Sequence, residues 1–165
     1  MPTPTALPST FTANTVLPAA SLNLLRGGFR VLQVIAATPV TSVVGSSLTT
    51  YGDVGLTATI TPQANTNKVL VITMNACGKT AGNANNGVFL QLLRGATVIS
   101  TYSFGLFTGT ALVQVGSLDM TVLDSPATTS ATTYKVQMKN NVAAAQVEYA
   151  SNGTACQMFL LEISA

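Results

Sequence analysis

The sequence predicts an all-β fold, an antiparallel jelly-roll β-sandwich of about eight strands with an extended N-terminal arm and a short helix before it. Segments of alternating apolar and polar residues recur along the chain, and clusters of Gly, Pro, Asn and Ser separate them. No helical segments alternate with the strands, which argues against a parallel α/β sheet. The length of 165 residues suits one domain with a real core. We divide the chain into residues 1–28, the arm and helix, and residues 29–165, the sandwich.

Residues 1–16 predict an extended arm. Pro2, Pro4 and Pro8 lie there among Thr, Ser and Ala. Because proline lacks the N–H and fixes φ, this stretch forms neither a helix nor a central strand. We expect the arm to become ordered only against a partner.

Residues 18–26 predict a short helix. The segment begins with Pro18 and is followed by two glycines, the asymmetry expected at helix ends. Leu22 and Leu25 give this helix one apolar side. Because so short a helix is unstable alone, we expect it to dock on another surface.

The rest of the chain is a series of strand-like segments, which amount to about eight to nine short strands. Residues 54–61 alternate cleanly, as in a half-buried strand. Residues 68–77 are apolar nearly throughout and predict a central strand covered on both faces. Residues 151–153 predict a hairpin-type turn. The segments are residues 29–38, 41–50, 54–61, 68–77, 88–94, 97–102, 112–123, 132–139, 144–149 and 156–163.

Charge is scarce in this chain. Charged residues make up 7% of it, against about 25% in typical soluble proteins. A polar surface with little charge can be covered by other protein at low cost, because the burial of charge costs most. Two interpretations stay open, a neutral secreted β-domain and a subunit of a larger assembly. The depletion of charge at interface cores favours the assembly.

Several partner classes do not fit the composition. The net charge is +2 and the basic residues are scattered, so no phosphate-tracking groove for nucleic acid is expected. No apolar stretch approaches the roughly 20 residues that span a membrane. The N-terminus lacks the basic start and apolar segment of a signal peptide, so we expect the protein to be made in a cytoplasm.

Catalytic chemistry and cofactors are not predicted. The chain has no His, which removes the usual base for a Ser or Cys nucleophile and argues against a metal site. Lys68 and Lys79 lie near predicted turns, where solvation is expected. Nothing marks two of the acids as a catalytic pair, and Asp124 before Ser-Pro is expected to be a turn residue. The five acids are Asp53, Asp119, Asp124, Glu148 and Glu162.

The cysteines and aromatic residues leave alternatives open. Cys77 and Cys156 form a disulfide if their strands lie side by side, although buried free thiols are favoured in a reducing cytoplasm. The aromatic residues either stack on carbohydrate or fill the core or an interface, and burial favours the second. They are Tyr51, Tyr102, Phe104 and Phe107.

Five stretches resemble a domain common among structural proteins of tailed bacteriophages. LDSPATTSATTYKVQ at 123–137 is the most specific of them, and together they span most of the chain. The resemblance implies a trimeric jelly roll, found as capsid decoration (cement) proteins and as fibre tips. The other four stretches are VLQV at 31–34, TPQANTNKVLV at 61–71, QLLRGATVI at 91–99 and FLLEI at 159–163.

The short chain favours decoration: a homotrimer that binds the major capsid protein on the outer capsid surface, with no enzymatic activity, nucleic-acid contact or membrane contact. Three arms on one trimer would bind together through high effective concentration. The alternative is a fibre-tip module that recognises host glycans through loops at 78–87 and 103–110. The predicted capsid-docking residues are Pro2, Pro4, Leu7, Pro8, Phe11, Leu22 and Leu25.

Overall fold

The protein is described by a computed structural model over residues 30–79, 86–106, 113–143 and 146–164, with side chains described in all of these except 103–106 and 113–115. These residues form twelve β-strands and one 3-10 turn, Ser151–Gly153. The strands are β1 Val31–Ala36, β2 Val44–Ser46, β3 Gly52–Ile60, β4 Lys68–Met74, β5 Ala76–Lys79, β6 Gly87–Arg94, β7 Thr97–Leu106, β8 Val113–Ser117, β9 Met120–Asp124, β10 Thr132–Asn140, β11 Val147–Tyr149 and β12 Gln157–Ile163.

Three four-stranded sheets contain these strands, in the orders β1-β12-β4-β9, β3-β10-β6-β7 and β2-β11-β5-β8. Every pairing is antiparallel. The prediction of an antiparallel all-β fold is therefore confirmed. The strand count differs from the prediction, with twelve strands in three sheets where about eight were expected.

Two predicted long strands are each divided at one common place. Asn75 ends β4 and precedes β5, and its side chain donates to the Leu118 carbonyl at 2.8 Å, where β8 gives way to β9. The Leu118 N–H in turn donates to the Asn75 carbonyl at 2.8 Å. Tyr149 of β11 donates to the Asn75 side-chain oxygen at 2.7 Å. A single buried amide therefore passes both chains from the first sheet into the third, and neither prediction of one continuous strand was correct.

The core lies where the inner sides of the sheets meet. β3 shows the period of two that the sequence predicted, with alternate residues buried from Val54 to Ile60. A hydrophobic cluster draws on all three sheets, so they share one core. Its fully buried members include Leu56, Leu90, Leu92, Tyr134, Met138, Tyr149, Met158 and Leu160.

Turn chemistry decides one connection as predicted and another differently. Gly95, with φ of 58°, forms the reversal between β6 and β7, as the sequence indicated. The turn at Ser151–Gly153 does not make a hairpin, because it joins β11 to β12 and these strands lie in different sheets.

The N-terminal elements cannot be placed. The predicted arm at 1–16, the helix at 18–26 and the boundary at residue 28 lie outside the described residues. Cys77 and Cys156 are both buried and neither forms a disulfide. Burial raises the pKa of the Cys77 thiol, with a smaller contribution from Cys156.

Candidate assembly surface

The outer side of the β1-β12-β4-β9 sheet is apolar from edge to edge. Strand register places Val34, Leu161, Leu70 and Leu123 side by side, one from each strand. The next row along the strands holds Ala36, Phe159, Ile72 and Thr121. We call this surface the apolar face: Val34, Ala36, Lys68, Leu70, Ile72, Met74, Thr121, Leu123, Gln157, Phe159, Leu161 and Ile163.

Solvent reaches both the edges and the middle of the apolar face. Val34 and Leu123, on the two edge strands, are 57% and 61% exposed. Met74 is 42% exposed, and the central Leu70 and Leu161 are half-buried. Contiguous exposed apolar surface of this kind marks an interaction site more often than a free surface.

Charge is nearly absent from this face. Lys68, at one corner, is its only charged residue, and its ammonium donates to the Ser125 hydroxyl at 2.7 Å. The other charged side chains of these four strands, Asp124 and Glu162, point to the opposite side. A flat apolar surface without charge is the composition found at the cores of protein interfaces.

A buried carboxylate anchors the sheet from its inner side. Glu162 of β12 is fully buried, and its Oε1 accepts from the Asn67 side chain and the Gln63 N–H at 2.6 Å each. Its Oε2 accepts from the Gln33 side chain of β1, also at 2.6 Å. Burial alone would raise the pKa of Glu162. The bonds from Asn67 and Gln33, with backbone donors at Gln63 and Ala64, outweigh burial and lower that pKa below its ordinary value.

A second polar cluster ties the two larger sheets together. Arg94 of β6 lies 2.8 Å from both carboxylate oxygens of Asp124 on β9. The hydroxyl of Tyr134 on β10 donates to the same carboxylate at 2.7 Å. Burial, and then the bond to Asp124, raise the pKa of Tyr134. Asp124 is therefore an inter-sheet brace at the end of a strand, and its predicted role as a turn residue was wrong.

The outer side of the β3-β10-β6-β7 sheet, which we call the polar face, satisfies its groups internally. Asp53 accepts from Gln137 at 2.7 Å and from Lys135 at 3.0 Å. Gln91 donates to Gln137 at 2.6 Å, which extends the chain of bonds across a third strand. The bonds from Gln137 and Lys135 lower the pKa of Asp53.

The one lysine near this chain of bonds sits over aromatic rings. The Lys139 ammonium lies 4.9 Å from the ring centre of Tyr51 and 5.0 Å from that of Phe89, which is cation–π distance. Partial burial raises the pKa of Tyr51. Tyr51 is thus engaged within the chain, while Tyr102 is 37% exposed. The side chains of Phe104 and Phe107 are not described.

The residues screened for catalysis occupy structural positions. Lys79 is fully buried at the end of β5, so its expected solvation at a turn was wrong. Glu148 accepts from Ser151 at 3.0 Å, and Asp119 accepts from the Asn75 N–H at 2.9 Å. In the described part of the chain, no group of three or more His, Cys, Asp or Glu residues could hold a metal ion. No helix there is long and apolar enough to cross a membrane.

Two depressions on the polar side are small. One, of about 140 Å³, lies over the irregular pairing of β3 with β10, around Gly55 and Lys135. The other, of about 150 Å³, lies between β2 and β3, around Leu48 and Met138. Pockets for small molecules usually measure about 300–1,000 Å³, so neither suits a ligand of that size.

The predicted site residues and the observed surface do not coincide. The predicted capsid-docking residues, Pro2, Pro4, Leu7, Pro8, Phe11, Leu22 and Leu25, all lie outside the described residues. Of the predicted glycan loops, Gly78 and Lys79 belong to β5 and residues 103–106 belong to β7, so those parts are not loops. The sequence did carry a signal for the apolar face, in the unbroken apolar run of β4. That run was interpreted as a strand covered on both faces, whereas one of its faces is open to solvent.

Comparison with known proteins adds no relative. No protein-family model matches this chain, and a search of curated proteins gives no significant match.

Proposed function

We propose that this protein is a structural component of a phage virion, a capsid decoration protein that binds the outer capsid surface as a homotrimer and stabilises the shell. The observation that carries the proposal is the apolar face, which is broad, exposed and almost uncharged. A protein that works by assembly needs such a surface, and the resemblance of residues 31–163 to phage structural proteins gives the setting. The jelly-roll order of the strands and assembly in a host cytoplasm belong to the same proposal.

The proposal assigns binding to the N-terminal residues and rigidity to the sheets. Each arm, with Pro2, Pro4, Leu7, Pro8 and Phe11, would make a weak contact with the major capsid protein, as would Leu22 and Leu25. Three arms held on one body bind together, and effective concentration can raise overall affinity by about 10² to 10⁴. A rigid body suits this role, and the two buried polar clusters at Glu162 and Asp124 supply rigidity.

The first experiment measures how many copies each virion carries. Quantitative mass spectrometry of purified virions gives the ratio of this protein to the major capsid protein. A ratio near one copy per capsid subunit is expected for decoration. A few copies per particle would contradict decoration and indicate a tail or fibre position.

A second experiment tests the arm. Deletion of residues 1–16 should abolish binding to undecorated capsids, whereas Thr101→Ala on the exposed edge strand β7 should leave binding unchanged. Undiminished capsid binding by the deletion variant would contradict the assignment of the arm.

One observation favours a second function, a fibre-tip module that binds host glycans. Tyr102 presents an exposed ring next to the segment 103–110 that was predicted to recognise glycans. Aromatic rings stack on sugar rings, so an exposed tyrosine is a suitable element of such a site. A glycan array probed with the intact protein and with Tyr102→Ala separates the outcomes. Binding that is lost in the variant supports this function, and an array without hits contradicts it.

A further inference from the structure

We infer that three copies of this chain join through the apolar face, around an axis that runs beside the β1-β12-β4-β9 sheets. This inference rests on the proposed homotrimer and names the surface that forms it. The face joins row upon row of apolar side chains, and its exposed edge residues, Val34 and Leu123, lie on opposite edge strands. Both edges of the sheet are therefore available to neighbouring copies.

The size of the face favours three copies over two. Four strands spaced about 4.8 Å apart, each about six residues long, present roughly 400 Å². Two such faces bury about 800 Å², which is the size of an incidental contact, whereas three bury about 1,200 Å², the lower limit for a specific interface. A closed ring in which one patch meets itself also stops growth at a finite size.

Other occupants fit less well. A helix over residues 18–26 would be about 13.5 Å long and about 10 Å wide, so it would cover only about a third of the face. A charged partner would find no complementary group except Lys68 at one corner. A second copy presents an equally flat and uncharged surface, which matches the face in both shape and polarity.

Joining through this face would also gather the N-terminal segments. Arg30 lies at the end of β1, where its N–H donates to the Ser164 hydroxyl at 3.0 Å and its carbonyl accepts from the Ser164 N–H at 2.9 Å. The chain before Arg30 thus leaves each copy at one end of the face. In a cyclic trimer all three segments leave at the same end of the axis, which places three arms on one side of the assembly.

The test is the mass of the full-length protein by analytical ultracentrifugation and native mass spectrometry. We expect three chains per particle for the native sequence. Leu123→Lys and Val34→Lys should lower the mass threefold, because each places a charge in the interface at an exposed position that tolerates lysine in the single chain. Thr101→Lys, equally exposed but on β7, should leave three chains. Circular dichroism of each variant confirms that the fold persists.

Several outcomes would overturn the inference. These are a single-chain particle for the native sequence at tens of micromolar, or three chains that survive both Leu123→Lys and Val34→Lys. A single chain that begins to associate only after deletion of residues 1–28 would show that the N-terminal segment covers the face instead. Loss of capsid binding is a separate result. A trimer that breaks at Leu123 but never binds capsids would refute the proposed function and leave this inference standing.

Discussion

The two larger sheets turn opposite chemistry outward. Both alternate buried and exposed positions, and both contribute their inner sides to the same core. On the polar face, Asp53, Lys135 and Gln137 bond to one another, so the face is complete within one chain. On the apolar face, Val34 and Leu123 meet only water. Strand alternation therefore fixes which residues point outward but not whether the outward side is finished.

The difference locates function by what a surface lacks. A free surface needs its groups solvated or paired, and the polar face achieves this with bonds across three strands. Exposed leucine, valine and phenylalanine side by side remain unfavourable in water at about 25 cal/mol per Å² of apolar surface. Covering that surface is therefore favourable, and a protein with so few charges has little to oppose it.

The sharpest contrast is between the carboxylates beneath and upon these sheets. Glu162→Gln should lower the free energy of unfolding by about 3 kcal/mol, because buried charge-assisted bonds from three residues are lost or reversed. The matched change Asp53→Asn removes an exposed ion pair and should cost less than about 1 kcal/mol. Urea unfolding at one fixed protein concentration measures both, since assembly would otherwise alter the apparent stability. Equal losses would contradict the distinction between anchor and surface pair.

Acid should weaken the protein through these same two groups. The pKa of Glu162 and that of Asp53 are both lowered in the folded state, so each adds stability above its unfolded pKa, about 4.3 for Glu and 3.9 for Asp. That stability is lost as the pH falls through the folded values. Thermal unfolding between pH 7 and pH 2.5 should show a steep decline below about pH 4. Glu162→Gln should flatten the decline more than Asp53→Asn, and an unchanged profile in both variants would contradict the assignment.

The brace between the sheets should make a moderate contribution. Tyr134→Phe removes the hydroxyl that donates to Asp124 and should cost about 1 kcal/mol, while Arg94 still pairs with that carboxylate. Tyr102→Phe is the control, because Tyr102 is exposed and its change should be near zero. Denaturant midpoints of the two variants decide the matter. A larger loss in the control would show that the ring positions, and not the hydroxyl bond, account for the effect.

The smallest effect should come from the lysines on the two outer faces. Lys139→Met removes the cation above Tyr51 and Phe89 and should cost about 0.5 to 1 kcal/mol. Lys68→Met removes only the bond to Ser125 and adds apolar area to the apolar face. We expect it to leave the single-chain stability almost unchanged and to strengthen assembly, as measured by dilution of the oligomer. Weaker assembly of Lys68→Met would argue against the apolar face as the joining surface.

Much of the fold follows from local pattern. Alternation predicted β3 and β10, and Gly95 predicted the reversal between β6 and β7, because these features depend on neighbours in sequence. The division of two strands at Asn75 could not be predicted. It depends on bonds from Asn75 to Leu118 and Tyr149, which are distant in sequence.

The candidate surface was harder to predict than the fold. An apolar run such as that of β4 is compatible with a strand buried on both sides or with one side left for a partner, since hydrophobicity does not say who provides the cover. Lys79 shows the same limit for charge, because its burial depends on tertiary packing around the end of β5. The role of Asp124 was likewise set by Arg94 and Tyr134, which reach it from another sheet.

The pairing of β1 with β12 has a consequence for the order of events during synthesis. Val34 and its partner Leu161 are separated by most of the chain, so the sheet that carries the apolar face cannot be completed until β12 has been translated. Contacts of such long sequence separation form slowly and late in folding. Until then β1 is an unpaired strand on a nascent chain, a species prone to wrong pairing when ribosomes are crowded. The surface that would join copies thus comes into being last, and timing itself guards against premature association.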